Sequence, residues 1–186
     1  MTYTPGDIVF PFTLPRVDGG ELTVDPRINA ATVVVFTANH CPYALAWHDR
    51  LDAVARDYAD RGVPVIQISA NDQARQPLDS REASAERVAK GHFSGPYLHD
   101  ESQELARAFG AEKTPDVYVI DGTGRLAYHG APDDDHESED ARAHYVRNAL
   151  DQILAGQPVL VPLTEAVGCS IKWREDAPLT IGTAQA

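Results

Sequence analysis

Residues 31–36, ATVVVF, form an unbroken β-branched and apolar run, and from Pro42 onward the pattern changes to apolar residues at helical spacing, Trp47, Leu51, Val54 and Tyr58. A run without alternation belongs to a strand buried on both faces. The second spacing belongs to an amphipathic helix, with Asp49, Arg50, Asp52, Arg56 and Asp57 on its wet side and Gly62 as its stop. A strand with no wet face needs cover on both sides of its sheet, which restricts the chain to layered α/β architectures.

The remaining segments extend that plan. Residues 7–24 alternate apolar side chains, Ile8, Phe10, Phe12 and Leu14 before DGG and Leu22 and Val24 after it, which predicts an N-terminal hairpin. VPVIQISA, 63–70, is a second buried-type strand, followed by a helix around 80–90. Asp100 is placed to cap a short helix over ESQELARAF that ends at Gly110. DVYVID and RLAYHG form a second hairpin over 116–130, and an acidic loop then leads into a helix over roughly 139–155. The expected product is a central mixed β-sheet flanked by helices on both faces, as one domain over 1–156, with an extended C-terminal arm over 157–186. In that order Cys41 falls at the carboxyl end of a buried strand, where open α/β sheets keep their binding sites.

The net charge of −12 repels phosphate backbones and anionic bilayers, so neither nucleic acid nor membrane is an expected partner. MTYTPGD lacks the basic and apolar regions of a secretory signal, and the chain reads as cytoplasmic. Its only cysteines, Cys41 and Cys169, are too few and too far apart for a structural zinc site or a disulfide framework, and in a reducing compartment they are expected to be free.

Cys41 sits in TANHCPYA, at the predicted start of the helix. Free backbone N–H groups and the helix dipole favour its thiolate there, Pro42 suits the first helical turn, and a charged His40 turned toward the sulfur would favour the thiolate further. For Cys169 two readings stand side by side: a thiol that resolves an oxidised Cys41, or a small side chain packed under Ile171 and Trp173. Metal ligation is not expected. His48 lies two helical turns from Cys41, and the acids of PDDDHESED lack calcium-loop spacing. No cofactor motif is present. Copper(I) held by Cys41, Cys169 and His40 would require the arm to fold over the site.

Three segments, FTLPRVDGGELTV, VVVFTANHCPYALAWHDRL and KTPDVYVIDGTGRLAYHG, resemble the thioredoxin fold in its redoxin branch, the alkyl hydroperoxide reductase and thiol-specific antioxidant (peroxiredoxin-like) family. With VGCSIKW they cover most of the chain. The resemblance implies a thioredoxin-like fold, a cis peptide bond between Thr114 and Pro115, and a substrate surface built from Thr114, Pro115 and Pro42. It also implies Cys41 as the nucleophile, with His40 beside it and Cys169 as resolving thiol. The implied partners are a peroxide or disulfide substrate and an external thiol reductant, either a thioredoxin or a low-molecular-weight thiol. A homodimer is compatible with it, and no cofactor is implied.

The chain also departs from the pattern. Ala38 and Ala44 occupy both positions at which a C-x-x-C partner of Cys41 would stand, so a local dithiol cycle is excluded. Ala38 also replaces the threonine of typical peroxiredoxins, and Pro115 stands near where they carry an arginine. The expected function is a thiol-dependent oxidoreductase built on Cys41. The alternative is a binding or adaptor module that kept the scaffold and lost turnover.

Overall fold

The computed structural model describes residues 1–175. Its centre is a five-stranded mixed sheet in the order β5–β4–β3–β7–β8. Strands β3 (Ala31–Thr37), β4 (Val65–Ser69) and β5 (Tyr97–His99) run parallel, while β7 (Asp116–Asp121) and β8 (Leu126–Gly130) join antiparallel. Every residue of β3 is buried, as its uninterrupted apolar pattern demands. Two short ribbons lie outside the sheet: β1 (Phe12–Pro15) with β2 (Glu21–Val24), and β6 (Lys113–Thr114) with β9 (Cys169–Ser170).

Alternation along the strands feeds two cores. Val33, Val35, Val117 and Val119 face α1 (Pro42–Tyr58) and α4 (Tyr145–Leu154). Val34, Phe36, Tyr118 and Ile120 face α3 (Glu104–Phe109), the hairpin and the end of the arm. Helix α1 supplies Trp47, Leu51, Val54 and Tyr58 to the first core, each at most 5% exposed; burial of such side chains contributes about 1.5–3 kcal/mol apiece. Pro42 at its first position needs no amide partner, and Gly62 at φ 76° closes the 3₁₀ turn that ends it. Helix α2 (Arg81–Ala89) is capped by the Ser80 hydroxyl, which accepts from the Ala83 N–H at 3.2 Å.

Several boundaries differ from the sequence expectation. The N-terminal hairpin spans only 12–24: Phe10 is 68% exposed and Val9 is buried in its place, because the preceding segment bonds to the Gly124–Leu126 turn region in a different register. Asp100 does cap α3, but from farther back: the helix begins at Glu104, and the carboxylate accepts from the Ala106 N–H at 2.8 Å. The edge strand β5 went unread, being only three residues long. Helix α4 begins at Tyr145 rather than near 139. The acidic loop before it bends around the Arg50 guanidinium, which donates to Asp133, Asp135 O, His136 O and Ser138 O. Among the described residues, no helix is long and apolar enough to cross a membrane.

Candidate active site

Cys41 is the N-cap residue of α1, at the carboxyl end of β3. Its carbonyl accepts the first helical bond, from Leu45 N–H at 2.9 Å, and its side chain has no accessible surface. The thiol donates to Thr114 O at 3.1 Å. Thr114 precedes Pro115 through a cis peptide bond, and both residues are buried. Pro42 is exposed.

The arm brings Cys169 onto this spot. Strand β9 pairs antiparallel with β6, Thr114 opposite Cys169 and Lys113 opposite Ser170, and Cys169, like Tyr43, packs against the cluster of Ala38, Cys41 and Ala44. Both thiols are free, Cys41 beneath and Cys169 partly exposed above it. The alternative in which Cys169 packs under Ile171 and Trp173 does not occur, because those residues serve the opposite core. The alanines at 38 and 44 have a steric consequence: with no side chain beyond Cβ, they leave room for a thiol arriving from the arm.

The two thiols titrate in opposite directions. Burial pushes the Cys41 thiol up, but hydrogen bonds from Cys169, Thr114 and the Ala44 N–H stabilise its thiolate more, and the net shift is downward. The Ala44 contribution is that of a free amide in the first helical turn. Burial and the adjacent Cys41 sulfur push Cys169 up to about 11, against the smaller opposing pull of Lys172 and Lys113. The charge of Lys113 therefore bears on Cys169. Of the pair, Cys41 is the more readily ionised and Cys169 the less.

His40 is tied down on its other side. Its Nδ1 lies 2.6 Å from Asp79 Oδ2, so this nitrogen is turned to a carboxylate and not to the sulfur. Asp79 is fully buried and also accepts from the Asn39 N–H at 2.5 Å and from Asn71 Nδ2 at 2.7 Å. Asn71 Oδ1 in turn accepts from the Lys172 N–H at 2.7 Å. One carboxylate thus positions the loop carrying Cys41 and, through Asn71, the arm carrying Cys169. Neither Asp79 nor Asn71 stood out in the sequence: PLDS reads as a turn, and the partners of Asp79 at 39 and 40 are far away along the chain.

A second wall is Tyr43, Trp47 and His136. The ring of His136 lies 4.7 Å from that of Tyr43 and 5.6 Å from that of Trp47, and Trp47 Nε1 donates to Asp133 at 2.7 Å. With Val167 and Glu165 of the arm, Trp47 and His136 line a recess of about 220 Å³. Cys41, Cys169 and His40 do not form a copper(I) set: among the described residues, no three side chains of His, Cys, Asp or Glu converge as a metal site. His48 is engaged elsewhere, with His92 O at 2.6 Å.

Residues 5–129 match the family model described as the AhpC/TSA family. No curated protein matches the chain. Among solved structures, an uncharacterized conserved protein of Geobacillus kaustophilus is 36% identical with a TM-score of 0.87, over 95% of each chain. A hypothetical protein of Sinorhizobium meliloti is 33% identical with a TM-score of 0.86, over 94% of this chain and 97% of its own. The peroxidoxin BcpB of Mycobacterium tuberculosis, at 20% identity and a TM-score of 0.61 over 83% of this chain and 97% of its own, shares the fold.

Proposed function

Given that the chain belongs to the AhpC/TSA family, we propose that it is a thiol-dependent oxidoreductase cycling between a dithiol and a Cys41–Cys169 disulfide. The observation that supports this most is the packing of a partly exposed thiol on a buried one whose thiolate is favoured. With a peroxide, the Cys41 thiolate attacks one oxygen, the O–O bond breaks, and an alcohol or water leaves as Cys41 becomes a sulfenic acid. Cys169 then attacks that sulfur, releasing water and closing the disulfide. With a disulfide substrate, Cys41 attacks one sulfur and the other leaves as a thiol; Cys169 then attacks the Cys41 sulfur of the mixed disulfide, closing Cys41–Cys169 and releasing the second thiol. An external thioredoxin-type or low-molecular-weight thiol returns two electrons and two protons. The missing threonine and arginine at 38 and near 115 leave peroxide without those polarising groups, so disulfide exchange stands beside peroxide reduction as the working reaction. A resting dithiol suits a reducing cytoplasm.

The adaptor alternative loses ground on one observation: β9 of the same chain occupies the Thr114 edge at which an external strand would dock. The test is peptide mapping under non-reducing conditions after mild peroxide or a small disulfide. A peptide joining Cys41 to Cys169 is expected, absent in Cys41→Ser and replaced by a sulfenic acid or mixed disulfide on Cys41 in Cys169→Ser. An unmodified Cys41 at doses that oxidise ordinary redoxins would sink the proposal.

A further inference from the structure

The arm reaches Cys41 through a contact that tolerates one residue type. At Gly168, a Cβ would stand 2.0 Å from Thr114 O and 2.6 Å from Thr114 C, both well short of the 3.4 Å at which ordinary contact begins. The obstruction is backbone, on the residue whose carbonyl also accepts from Cys41, and so has no side-chain rotamer to turn away. On either side the arm is pinned. Thr164 N–H donates to His129 O at 3.0 Å, and beyond Cys169 the Lys172 and Arg174 amides donate to Asn71 and Gln103 while the Asp72 amide donates to Lys172 O. A side chain at 168 therefore has to lift the strand where Cys169 meets Cys41.

We propose that Gly168 is the specificity-determining residue of the site: it seats the arm's own cysteine on the Thr114 edge, so that an oxidised Cys41 is resolved within the chain and not by an external cysteine-bearing strand. This rests on the Cys41–Cys169 couple proposed above and adds what decides between its internal and external partners. The arm occupies the edge as a tethered substrate strand, in antiparallel register with Thr114. Any polypeptide competing for that edge meets the same carbonyl, and has to present glycine immediately before its cysteine. In balanced form, sulfenic acid on Cys41 plus a thiol gives a disulfide and water in either case; Gly168 sets which thiol is in place. Misplacement of reacting groups by about 1 Å can cost about 10²-fold in rate.

The experiment uses the full chain, with Leu160→Ala, at an exposed arm position outside the site, as control. After one equivalent of diamide, which oxidises two thiols to a disulfide and needs no peroxidase step, the internal Cys41–Cys169 disulfide is measured against the mixed disulfide between Cys41 and an added peptide, EAVGCSIKW. Wild type and Leu160→Ala are expected to give the internal product. Gly168→Ala is expected to shift the partition toward the mixed disulfide by about 10²-fold, with faster alkylation of Cys41 and little change in the unfolding midpoint. An unchanged partition and alkylation rate in Gly168→Ala overturns the inference, as does a wild type that forms no internal disulfide with diamide. Should Gly168→Ala not fold, the folded Cys169→Ser chain decides. Its Cys41 should capture EAVGCSIKW at least about tenfold faster than EAVACSIKW, and equal rates overturn the inference. Internal disulfide with diamide but none with peroxide or a disulfide substrate would defeat the functional proposal and leave the role of Gly168 standing.

Discussion

Replacing Asp79 by asparagine changes no shape, yet should unsettle both halves of the site. The carboxylate accepts from three donors, Asn39 N–H, Asn71 Nδ2 and the His40 Nδ1 side, while shielded from water. Asn71 has no freedom to adapt. Its Nδ2 gives to Asp79 and its Oδ1 takes from the Lys172 N–H, so turning the amide to satisfy a new neighbour turns its NH₂ against the arm. In Asp79→Asn, one amide oxygen serves Asn39, and the new NH₂ faces the Asn71 NH₂ across the 2.7 Å that now separates donor from acceptor. Hydrogen bonds to a charged group contribute about 1.5–3 kcal/mol against about 0.5–1.5 for neutral ones, so weakening three bonds, less the relief of burying no charge, leaves a net loss of about 3 kcal/mol. For a chain of this length, that lowers the thermal midpoint by about 6–12 °C. Far-ultraviolet circular dichroism measures the midpoint, and iodoacetamide followed by mass spectrometry measures Cys41 alkylation, which should quicken as the arm loosens. A midpoint within about 2 °C of wild type, with Cys41 as slow to alkylate as before, would refute the argument that this carboxylate organises the loop and the arm together.

Two further outcomes test the electrostatics and the scaffold. In a thiolate-absorbance titration Cys41 should ionise first and Cys169 near 11; the Cys41 step should rise in Cys169→Ala, which removes the hydrogen bond, relative to Cys169→Ser, which keeps one, and the reverse order of steps would refute the assignment. By linkage, the depressed Cys41 contributes stability at high pH that is lost as pH falls through its folded value, whereas the raised Cys169 contributes stability below its unfolded value that is lost as pH rises toward 11. Arg50→Ala removes four hydrogen bonds from the 133–138 loop and should cost about 2–4 kcal/mol, with new proteolytic cleavage in that loop; resistance equal to wild type would count against the clamp.

The central elements were legible in the residues because their causes are local. β-Branched runs without alternation announced β3 and β4, helical spacing announced α1, and Pro42 with Gly62 marked its limits. Boundaries failed where a distant group intervened. The helix after the acidic loop reads as starting near 139 but begins at Tyr145, and the loop before it is gathered by Arg50, on another helix. Ile8 and Phe10 alternate correctly for a hairpin, but the turn at Gly124 captures that segment in another register.

For the site, the residues by themselves determined that Cys41 begins a helix after a buried strand and that no thiol stands at 38 or 44. Those are facts of neighbours along the chain, and helix-terminus electrostatics follow from them directly. Only the tertiary structure decided which thiol meets Cys41. Cys169 arrives from the far end of the chain on a strand two residues long, too short to carry a pattern. It is held by backbone pairing with Thr114, by an amide relayed through Asn71 from Asp79, and by the absence of a side chain at Gly168. Hydrogen-bond direction and close backbone approach depend on positions in space, and no spacing along the sequence encodes them.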